Sequence, residues 1–164
     1  ELAHGLREVG AAAQDEVRRI ASALRPGVLE DLGLAASVER LCEDFQRVHD
    51  VTVRLESSGA AIGKLSPPVE VSLYRILQEA LTNVARHAHA DLVTVKLTRS
   101  DRVVVLSIQD NGIGLHRAFG QPETGRVRLG LDSIRERAEM LHGECSIRHV
   151  DGGGTLVEVT IPIA

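Results

Sequence analysis

The sequence predicts an α+β fold in which helices cover one face of a sheet. Apolar residues recur at helical spacing in some segments and alternate with polar residues at strand spacing in others. The strand-like segments do not alternate regularly with helices, as they would in a parallel α/β domain, and several follow one another in neighbouring pairs. We therefore expect a single sheet with one helical layer.

The chain starts with the pattern of a helix that packs against other helices. Its apolar residues recur three or four positions apart, at Leu2, Leu6, Val9, Ala13, Val17, Ile20 and Leu24. Arg25-Pro26-Gly27 ends this helix. We interpret residues 1–25 as a helical segment outside the main domain, 26–33 as a linker and 34–164 as the main domain, all cut from a longer protein.

The main domain is predicted to contain three helices and five strands. The helices are expected at about 34–48, 69–89 and 130–142, and the strands at about 51–55, 92–99, 102–110, 144–150 and 154–161. Residues 111–129 hold four glycines, one proline and few apolar positions. A loop of this length inside a compact domain usually has a function.

Composition excludes several classes of protein. With 43% hydrophobic and 26% charged residues, the 164-residue chain has the profile of one soluble globular domain. No apolar run approaches the roughly 18–20 residues that span a bilayer. The net charge of −4 and the scarcity of aromatic residues argue against nucleic acid as a partner. Cys42 and Cys145 lack the spacing of a zinc site or a disulfide framework, which fits a reducing compartment.

The helix at about 69–89 presents polar side chains beside its apolar stripe. At about 100° per residue, Glu79, Asn83 and Arg86 share one arc next to the arc of apolar residues. An acid, an amide and a cation along one edge could form part of a binding site. A solvated helix face with a local hydrogen bond explains the same pattern, so this motif alone leaves both readings open.

Asp110 stands at the end of an apolar row. The period of a strand places it on the same face as Val104, Leu106 and Ile108. A carboxylate there requires hydrogen-bond donors from protein, water or a ligand. Gly112 and Gly114 would let the backbone approach a ligand closely. An ordinary turn at residues 110–112 is the alternative.

Two further segments add candidate ligand contacts. Gly130-Leu131 opens the last predicted helix, where free N–H groups form an anion site, and Arg126 and Arg128 stand just before it. Thr155 starts the last strand with its hydroxyl on the apolar side, from which it could bond Asp110. The alternatives are a helix that follows a flexible loop and a strand-favouring residue after a glycine turn.

Taken together, these segments resemble the ATP-binding domain of sensor histidine kinases, and more narrowly the nitrate-sensor or DesK-type subfamily. The segments are residues 78–88 (QEALTNVARHA), 110–114 (DNGIG), 130–138 (GLDSIRERA) and 153–155 (GGT), supported by residues 24–26 (LRP) and 29–34 (LEDLGL). The first four correspond to the family's N box, its two glycine boxes and its terminal Gly-Thr pair. The resemblance covers nearly the whole chain.

The resemblance implies a Bergerat-type two-layer α/β sandwich, with a mixed, mostly antiparallel sheet of about five strands under three helices. It also implies that ATP and Mg²⁺ bind between the long helix and a lid at about 115–129. Asn83 would bind Mg²⁺, and Glu79 would orient a metal-bound water or assist proton transfer. Arg86 would contact phosphate, and His87 could reach the phosphates.

The resemblance assigns the adenine and phosphate contacts to the other segments. Asp110 would accept a hydrogen bond from the exocyclic amine of adenine, and Thr155 would support that contact. Gly112 and Gly114 would make room beside the base. The N–H groups of Gly130-Leu131 would face the phosphates.

This sequence departs from the family pattern at two places. Arg128 replaces a glycine found in many relatives, which suggests that Arg126 and Arg128 act as a charged phosphate clamp. A phosphoacceptor histidine is missing, because His4 is followed by Gly5 where the family has an acidic residue. Residues 1–25 would then be the end of the second dimerisation helix.

The implied function is transfer of the γ-phosphoryl group of ATP to a histidine outside this fragment. The kinase domain would be cytoplasmic, whether or not the parent is anchored to a membrane. The intact parent would act as a homodimer, and a monomeric state of this fragment is left open. Its partner would be a response regulator, of the DNA-binding nitrate-regulator type, and the fragment itself would contact neither nucleic acid nor membrane. The alternatives are an anti-sigma-factor serine kinase or gyrase- or MutL-like ATPase of the same fold, and a non-catalytic scaffold with a vestigial pocket.

Overall fold

The computed structural model describes residues 27–57, 62–114 and 124–163. The predicted helix at 1–25 and residues 115–123 of the predicted lid lie outside these ranges. The helices are α1 (Gly27–His49), α2 (Pro67–Asn83), which continues into a π-helical turn (Val84–Ala88), and α3 (Thr124–Glu139). The strands are β1 (Thr52–Ser57), β2 (Leu92–Arg99), β3 (Val103–Asp110), β4 (Glu144–His149) and β5 (Thr155–Pro162).

The described strands form one sheet in the order β1-β2-β3-β5-β4. β1 pairs with β2 in parallel, and the other three pairs are antiparallel. A tight turn joins β2 to β3, in which the N–H of Ser100 donates to the carbonyl of Val103 at 2.8 Å. The predicted mixed, mostly antiparallel sheet of five strands is confirmed.

The core lies between the helices and one face of the sheet. Along β3 the side chains that point to this face are buried, and they are Val104, Leu106, Ile108 and Asp110. Leu73 and Leu77 of α2 and Ile134 of α3 are fully excluded from solvent in the same cluster. The two-layer arrangement is therefore confirmed, and it places Asp110 at the end of an apolar wall.

α1 contains a kink at Gly33, whose φ of 75° lies in the left-handed region that favours glycine. The hydroxyl of Ser37 donates to the carbonyl oxygens of Val28 and Gly33 and so ties the two halves together. Leu29, before the kink, is fully buried in the core. Part of the predicted linker over 26–33 is thus helical and packed against the domain.

α2 begins at Pro67, where the first turn of a helix tolerates a residue without an N–H group. The sequence predicts one regular helix over 69–89. In the structure the last turn, Val84–Ala88, is π-helical and ends at His89, which adopts a left-handed conformation with φ of 50°. Such wide turns are frequent at functional sites.

α3 begins at Thr124, so the predicted start at 130 is wrong. Glycines cost about 1 kcal/mol each inside a helix, and Gly125 and Gly130 made the segment look like a loop. Arg126 and Arg128 therefore lie within the helix rather than before it. The part of the predicted lid that the structure describes is helical.

Candidate functional site

A cavity lies between α2, the π-helical turn, the start of α3 and the adjoining ends of β3 and β5. It is lined by Ala80, Asn83, Val84, His87, Ala88, Ile108, Asp110, Gly114, Leu131, Thr155 and Val157. Its volume is about 40 Å³, which is room for only a few water molecules. The walls are largely apolar, with a few polar groups at one side, as in many small-molecule sites.

Asp110 is the buried charged group of this cavity. Only 5% of its surface is exposed, and burial raises the pKa of its carboxyl above the usual value. Polar groups oppose that shift: the N–H of Gly112 donates to the carboxylate at 2.8 Å, and the N–H and hydroxyl of Thr155 and the N–H of Asp110 itself also lower the pKa. This effect of the Thr155 hydroxyl agrees with the predicted bond to Asp110.

The donors required by the position of Asp110 thus come from the protein itself. An ionised carboxylate offers about four acceptor positions on its two oxygens, and the N–H of Gly112 takes one of them at 2.8 Å. The group therefore keeps acceptor capacity while it lines the cavity. It is held in place before any ligand arrives.

Close backbone approaches around Asp110 explain the glycines of this region. A Cβ at Gly112 would collide with the carbonyl oxygen of Ala88, and one at Gly154 would collide with the carbonyl of Asp110. A Cβ at Gly114 would collide with the ring of His149. Gly112 and Gly114 are therefore needed because the backbone packs closely against Ala88 and His149 at these positions. The predicted role of making room beside the base stays a prediction.

Glu79 and Asn83 lie one turn apart on α2 and face Gly130 of α3. A Cβ at Gly130 would collide with Oε1 of Glu79 and would lie 3.1 Å from both Oδ1 and Nδ2 of Asn83. The buried Nδ2 of Asn83 has no hydrogen-bond partner among the described residues. The described part of the fold therefore leaves this nitrogen without a partner, although burying a polar atom unpaired is costly.

Two arginines contribute positive charge near Glu79. Arg137 on α3 is partly buried, and burial followed by the charge of Arg75 lowers the pKa of its guanidinium, whereas Glu79 and Glu136 raise it. Nη1 of Arg75 donates to Oε1 of Gln78 at 2.9 Å. Arg137 thus lies among charges of both signs, and Glu79 is one of the negative ones.

The structure brings most of the predicted site residues together. Asn83, His87, Asp110, Gly114, Leu131 and Thr155 line the cavity, and Glu79 and Gly130 lie beside Asn83. Arg86 sits on the exposed side of the π-helical turn. Arg126 and Arg128 lie in the first turns of α3, and a phosphate clamp formed by their side chains stays a prediction.

One predicted feature of the site is wrong. Because α3 begins at Thr124, Gly130 and Leu131 occupy its second turn, where backbone N–H groups take part in the helix. They do not present the free N–H groups of a helix start. Leu131 instead contributes a buried apolar side chain to the cavity, and Gly130 allows α3 to approach Glu79.

Two contributions to the site were missed in the sequence. Ala80, Val84 and Ala88 belong to the apolar stripe of the helix and also form the apolar wall of the cavity. The sequence indicates only a turn at Asn111, yet its Oδ1 accepts hydrogen bonds from the N–H groups of Asp91 and Leu92 at 3.0 Å each. Asn and Asp side chains commonly bond nearby backbone, but here the partners are 19 and 20 residues away.

The described residues contain no cluster of three or more His, Cys, Asp or Glu side chains that could hold a metal ion by themselves. The chemistry of Asn83 nevertheless fits Mg²⁺, which is often held by one or two protein oxygens together with phosphate oxygens of a substrate. Within the described parts of the chain, no helix is both long and apolar enough to cross a membrane.

A family model described as histidine kinase-, DNA gyrase B- and HSP90-like ATPase matches residues 69–164. This match begins in α2 and includes every element that lines the cavity. It covers more than half of the chain.

Named relatives extend the similarity to the N-terminal part of the chain. The oxygen sensor histidine kinase NreB of Staphylococcus carnosus is 32% identical over 149 residues, which are 91% of this chain and 42% of that protein. The sensor histidine kinase LiaS of Bacillus subtilis is 36% identical over 92% of this chain and 40% of its own length. The chain thus spans about two fifths of the length of these relatives.

Solved structures show the same fold. The histidine kinase domain of the blue-light activated histidine kinase of Erythrobacter litoralis EL346 superposes with a TM-score of 0.65 at 21% identity. The superposition covers 79% of this chain and 61% of that one. At this identity the similarity establishes the architecture alone.

Proposed function

Because the chain belongs to the histidine kinase-, DNA gyrase B- and HSP90-like ATPase family, we propose that it is the ATP-binding catalytic domain of a two-component sensor histidine kinase of the nitrate-sensor or DesK-like type. Its relatives over nine tenths of the chain are named sensor histidine kinases. The reaction is transfer of the γ-phosphoryl group of ATP to a histidine of the parent protein.

The observation that carries this proposal is the buried carboxylate of Asp110 in an apolar cavity next to Asn83 and Glu79. Asp110 is oriented by Gly112 and Thr155 and keeps acceptor capacity. The exocyclic amine of adenine supplies a matching donor, while the apolar walls contact the faces of the base.

The phosphate end of the nucleotide is directed toward Asn83 and Glu79. The side-chain oxygen of Asn83 is of the type that holds Mg²⁺ together with phosphate oxygens, and bound Mg²⁺ would neutralise charge on the phosphates. Arg86 lies on the exposed side of the same turn, and the side chains of Arg126 and Arg128 would add positive charge. The protein's main contributions are therefore position and charge.

The chemical step exchanges one bond to phosphorus for another. A ring nitrogen of the acceptor histidine attacks the γ-phosphorus, a P–N bond forms, the bond from phosphorus to the β,γ-bridging oxygen breaks, and ADP leaves. The proton that the imidazole loses passes to Oε1 of Glu79, directly or through water. The acceptor histidine belongs to the parent and lies outside this domain.

The parent would deliver the phosphoryl group to an aspartate of a response regulator. We propose a DNA-binding regulator of the nitrate-regulator type, a homodimeric parent and a cytoplasmic location for this domain. Residues 1–25 would be the end of the second dimerisation helix. The named relatives support a role in kinase signalling. The regulator type, the homodimeric parent and the cytoplasmic location are our proposals beyond that.

Calorimetric titration with ATP, with and without Mg²⁺, tests the proposal. Asp110→Asn is expected to weaken nucleotide binding by about 10- to 100-fold, because a charged hydrogen bond contributes roughly 1.5–3 kcal/mol. Asn83→Ala should mainly remove the gain in affinity that Mg²⁺ provides. Gln109→Ala, an exposed neighbour on β3, serves as the control and should bind like the original chain.

The outcomes separate the alternatives. Absence of binding heat in both conditions would favour a scaffold with a vestigial pocket. Binding with equal affinity in Asp110→Asn and Asn83→Ala would overturn the site assignment. Binding by the isolated domain, combined with phosphorylation of serine rather than histidine by the parent, would favour the serine kinase.

A further inference from the structure

Asn111 follows the last residue of β3 and is exposed to solvent. Its Oδ1 nevertheless accepts hydrogen bonds from the backbone N–H groups of Asp91 and Leu92, both at 3.0 Å. The β2–β3 ladder ends at the pair of Val93 and Asp110. The side chain of Asn111 thus continues the connection between the two strands beyond the point where their ladder stops.

Backbone hydrogen bonds join the same two segments. The N–H of Asn111 donates to the carbonyl of Leu92 at 3.2 Å, and the N–H of Ile113 donates to the carbonyl of Ala88 at 2.8 Å. Gly112 lies so close to Ala88 that a Cβ would collide with its carbonyl oxygen. Residues 111–113 are therefore fixed against the end of the π-helical turn and the residues that follow it.

Both of the joined segments form walls of the cavity. Ala88 and His87 line it from the π-helical turn, and Asp110 lines it from β3. The N–H of Gly112 donates a hydrogen bond to the carboxylate of Asp110, which closes a short turn. Asn111 is the residue between these two in the chain. Movement of Asn111 would move the orienting N–H of Gly112 and the Ala88 wall at once.

We propose that Asn111 is a positioning residue for base recognition, which holds the carboxylate of Asp110 and the Ala88 wall at the separation required by a purine with an exocyclic amine. The proposal rests on the proposed function, because it assumes a bound nucleotide. Asn111 does not contact the base. It acts through the turn at 110–112 and through the backbone that follows the π-helical turn.

A purely structural role for Asn111 leads to a different expectation. The N–H groups of Asp91 and Leu92 are near the surface, and water could replace the lost acceptor at a modest cost in stability. If Asn111 served stability alone, its loss would lower the melting temperature while the folded protein kept its preference among bases. A positioning role changes that preference.

The test compares the dissociation constants of ATP and inosine triphosphate, which has a carbonyl in place of the exocyclic amine. The original chain should prefer ATP. Asn111→Ala should weaken ATP binding by about tenfold, the equivalent of roughly one or two hydrogen bonds, and bring the ATP preference close to one. Asn111→Asp keeps the accepting oxygen and should retain the preference within about threefold. Gln109→Ala is again the matched control.

Each outcome decides the matter. An unchanged ATP preference in Asn111→Ala overturns the inference, even if its melting temperature falls. Should Asn111→Ala fail to fold, Asn111→Gln, which shifts the amide by one methylene group, takes its place, and an unchanged preference in that variant overturns the inference as well. Failure of the original chain to bind ATP would overturn the proposed function instead, which keeps the two failures distinguishable.

Discussion

Asp110 is almost fully buried, and the donors around it meet the requirement that burial places on a carboxylate. Gly112 and Thr155 stabilise its charged form, while removal from water disfavours that form more strongly, and the net effect raises its pKa. The position of this carboxylate was predictable from the period of β3. Its donors were only partly predictable, because the turn that brings Gly112 into reach depends on three-dimensional contacts.

The raised pKa of Asp110 gives nucleotide binding a pH dependence. Below this pKa the carboxyl is protonated and loses part of its capacity to accept the hydrogen bond from adenine. ATP affinity should therefore fall as the pH is lowered, starting at a higher pH than for an ordinary aspartate, whose pKa is near 3.8. Titration calorimetry at a series of pH values measures the effect, and Asp110→Asn should show a flatter profile.

The same shift predicts the opposite trend for the stability of the unliganded domain. A folded-state pKa above the unfolded value means that the folded chain holds its proton over a range where the unfolded chain has lost it. The contribution of Asp110 to the free energy of unfolding is thus largest at low pH and declines as the pH rises through the folded pKa. Equal pH profiles for the original chain and Asp110→Asn would contradict this assignment.

Whole elements were predicted with different success, for physical reasons. The strands were found because alternation of buried and exposed side chains is a local property of one chain segment. The start of α3 was missed because Gly125 and Gly130 are poor helix formers, and contacts with α2 override this preference. The π-helical turn was missed because its residues fit an ordinary helix equally well, and only the packing of its end distinguishes the two.

The start of β5 depends on a glycine that the sequence marks only as part of a turn. Gly154 has φ of 97°, and a Cβ there would collide with the backbone of Asp110. Gly154→Ala should lower the free energy of unfolding by about 2–4 kcal/mol, since backbone strain of about 1–3 kcal/mol adds to the collision. Chemical denaturation measures this change.

Gly152→Ala is the matched control for this prediction. Gly152 has a similar φ of 94°, but a Cβ there would meet no atom within 4 Å. Its substitution should therefore cost only the backbone strain. Equal losses of stability in the two variants would show that the contact between Gly154 and Asp110 has no energetic weight.

At the scale of the whole molecule, the cavity joins both layers of the fold. Its walls come from α2, α3, β3 and β5, so a bound nucleotide would connect helices to sheet. A ligand that binds only the folded state stabilises it by about 2.7 kcal/mol at 100 times its dissociation constant. The whole domain should respond as one unit.

ADP with Mg²⁺ at 100 times its dissociation constant should accordingly raise the melting temperature by about 5–11 °C, given roughly 2–4 °C per kcal/mol for a chain of this size. Differential scanning calorimetry measures the shift. At the same ADP concentration, Asp110→Asn should show a clearly smaller shift, whereas Gln109→Ala should match the original chain. Absence of a shift in the original chain would argue against nucleotide binding.

The wide turn at the end of α2 has a consequence for how this domain tolerates change in its gene. A π-helical turn contains about one residue more than an α-helical turn of similar extent. Loss of a single codon between positions 84 and 88 would let the helix close with regular pitch, and the residues beyond the turn would keep their register. The scaffold could survive such a deletion, whereas the wide turn that brings His87 and Ala88 to the cavity would be lost, so base recognition is more sensitive to this change than the fold is.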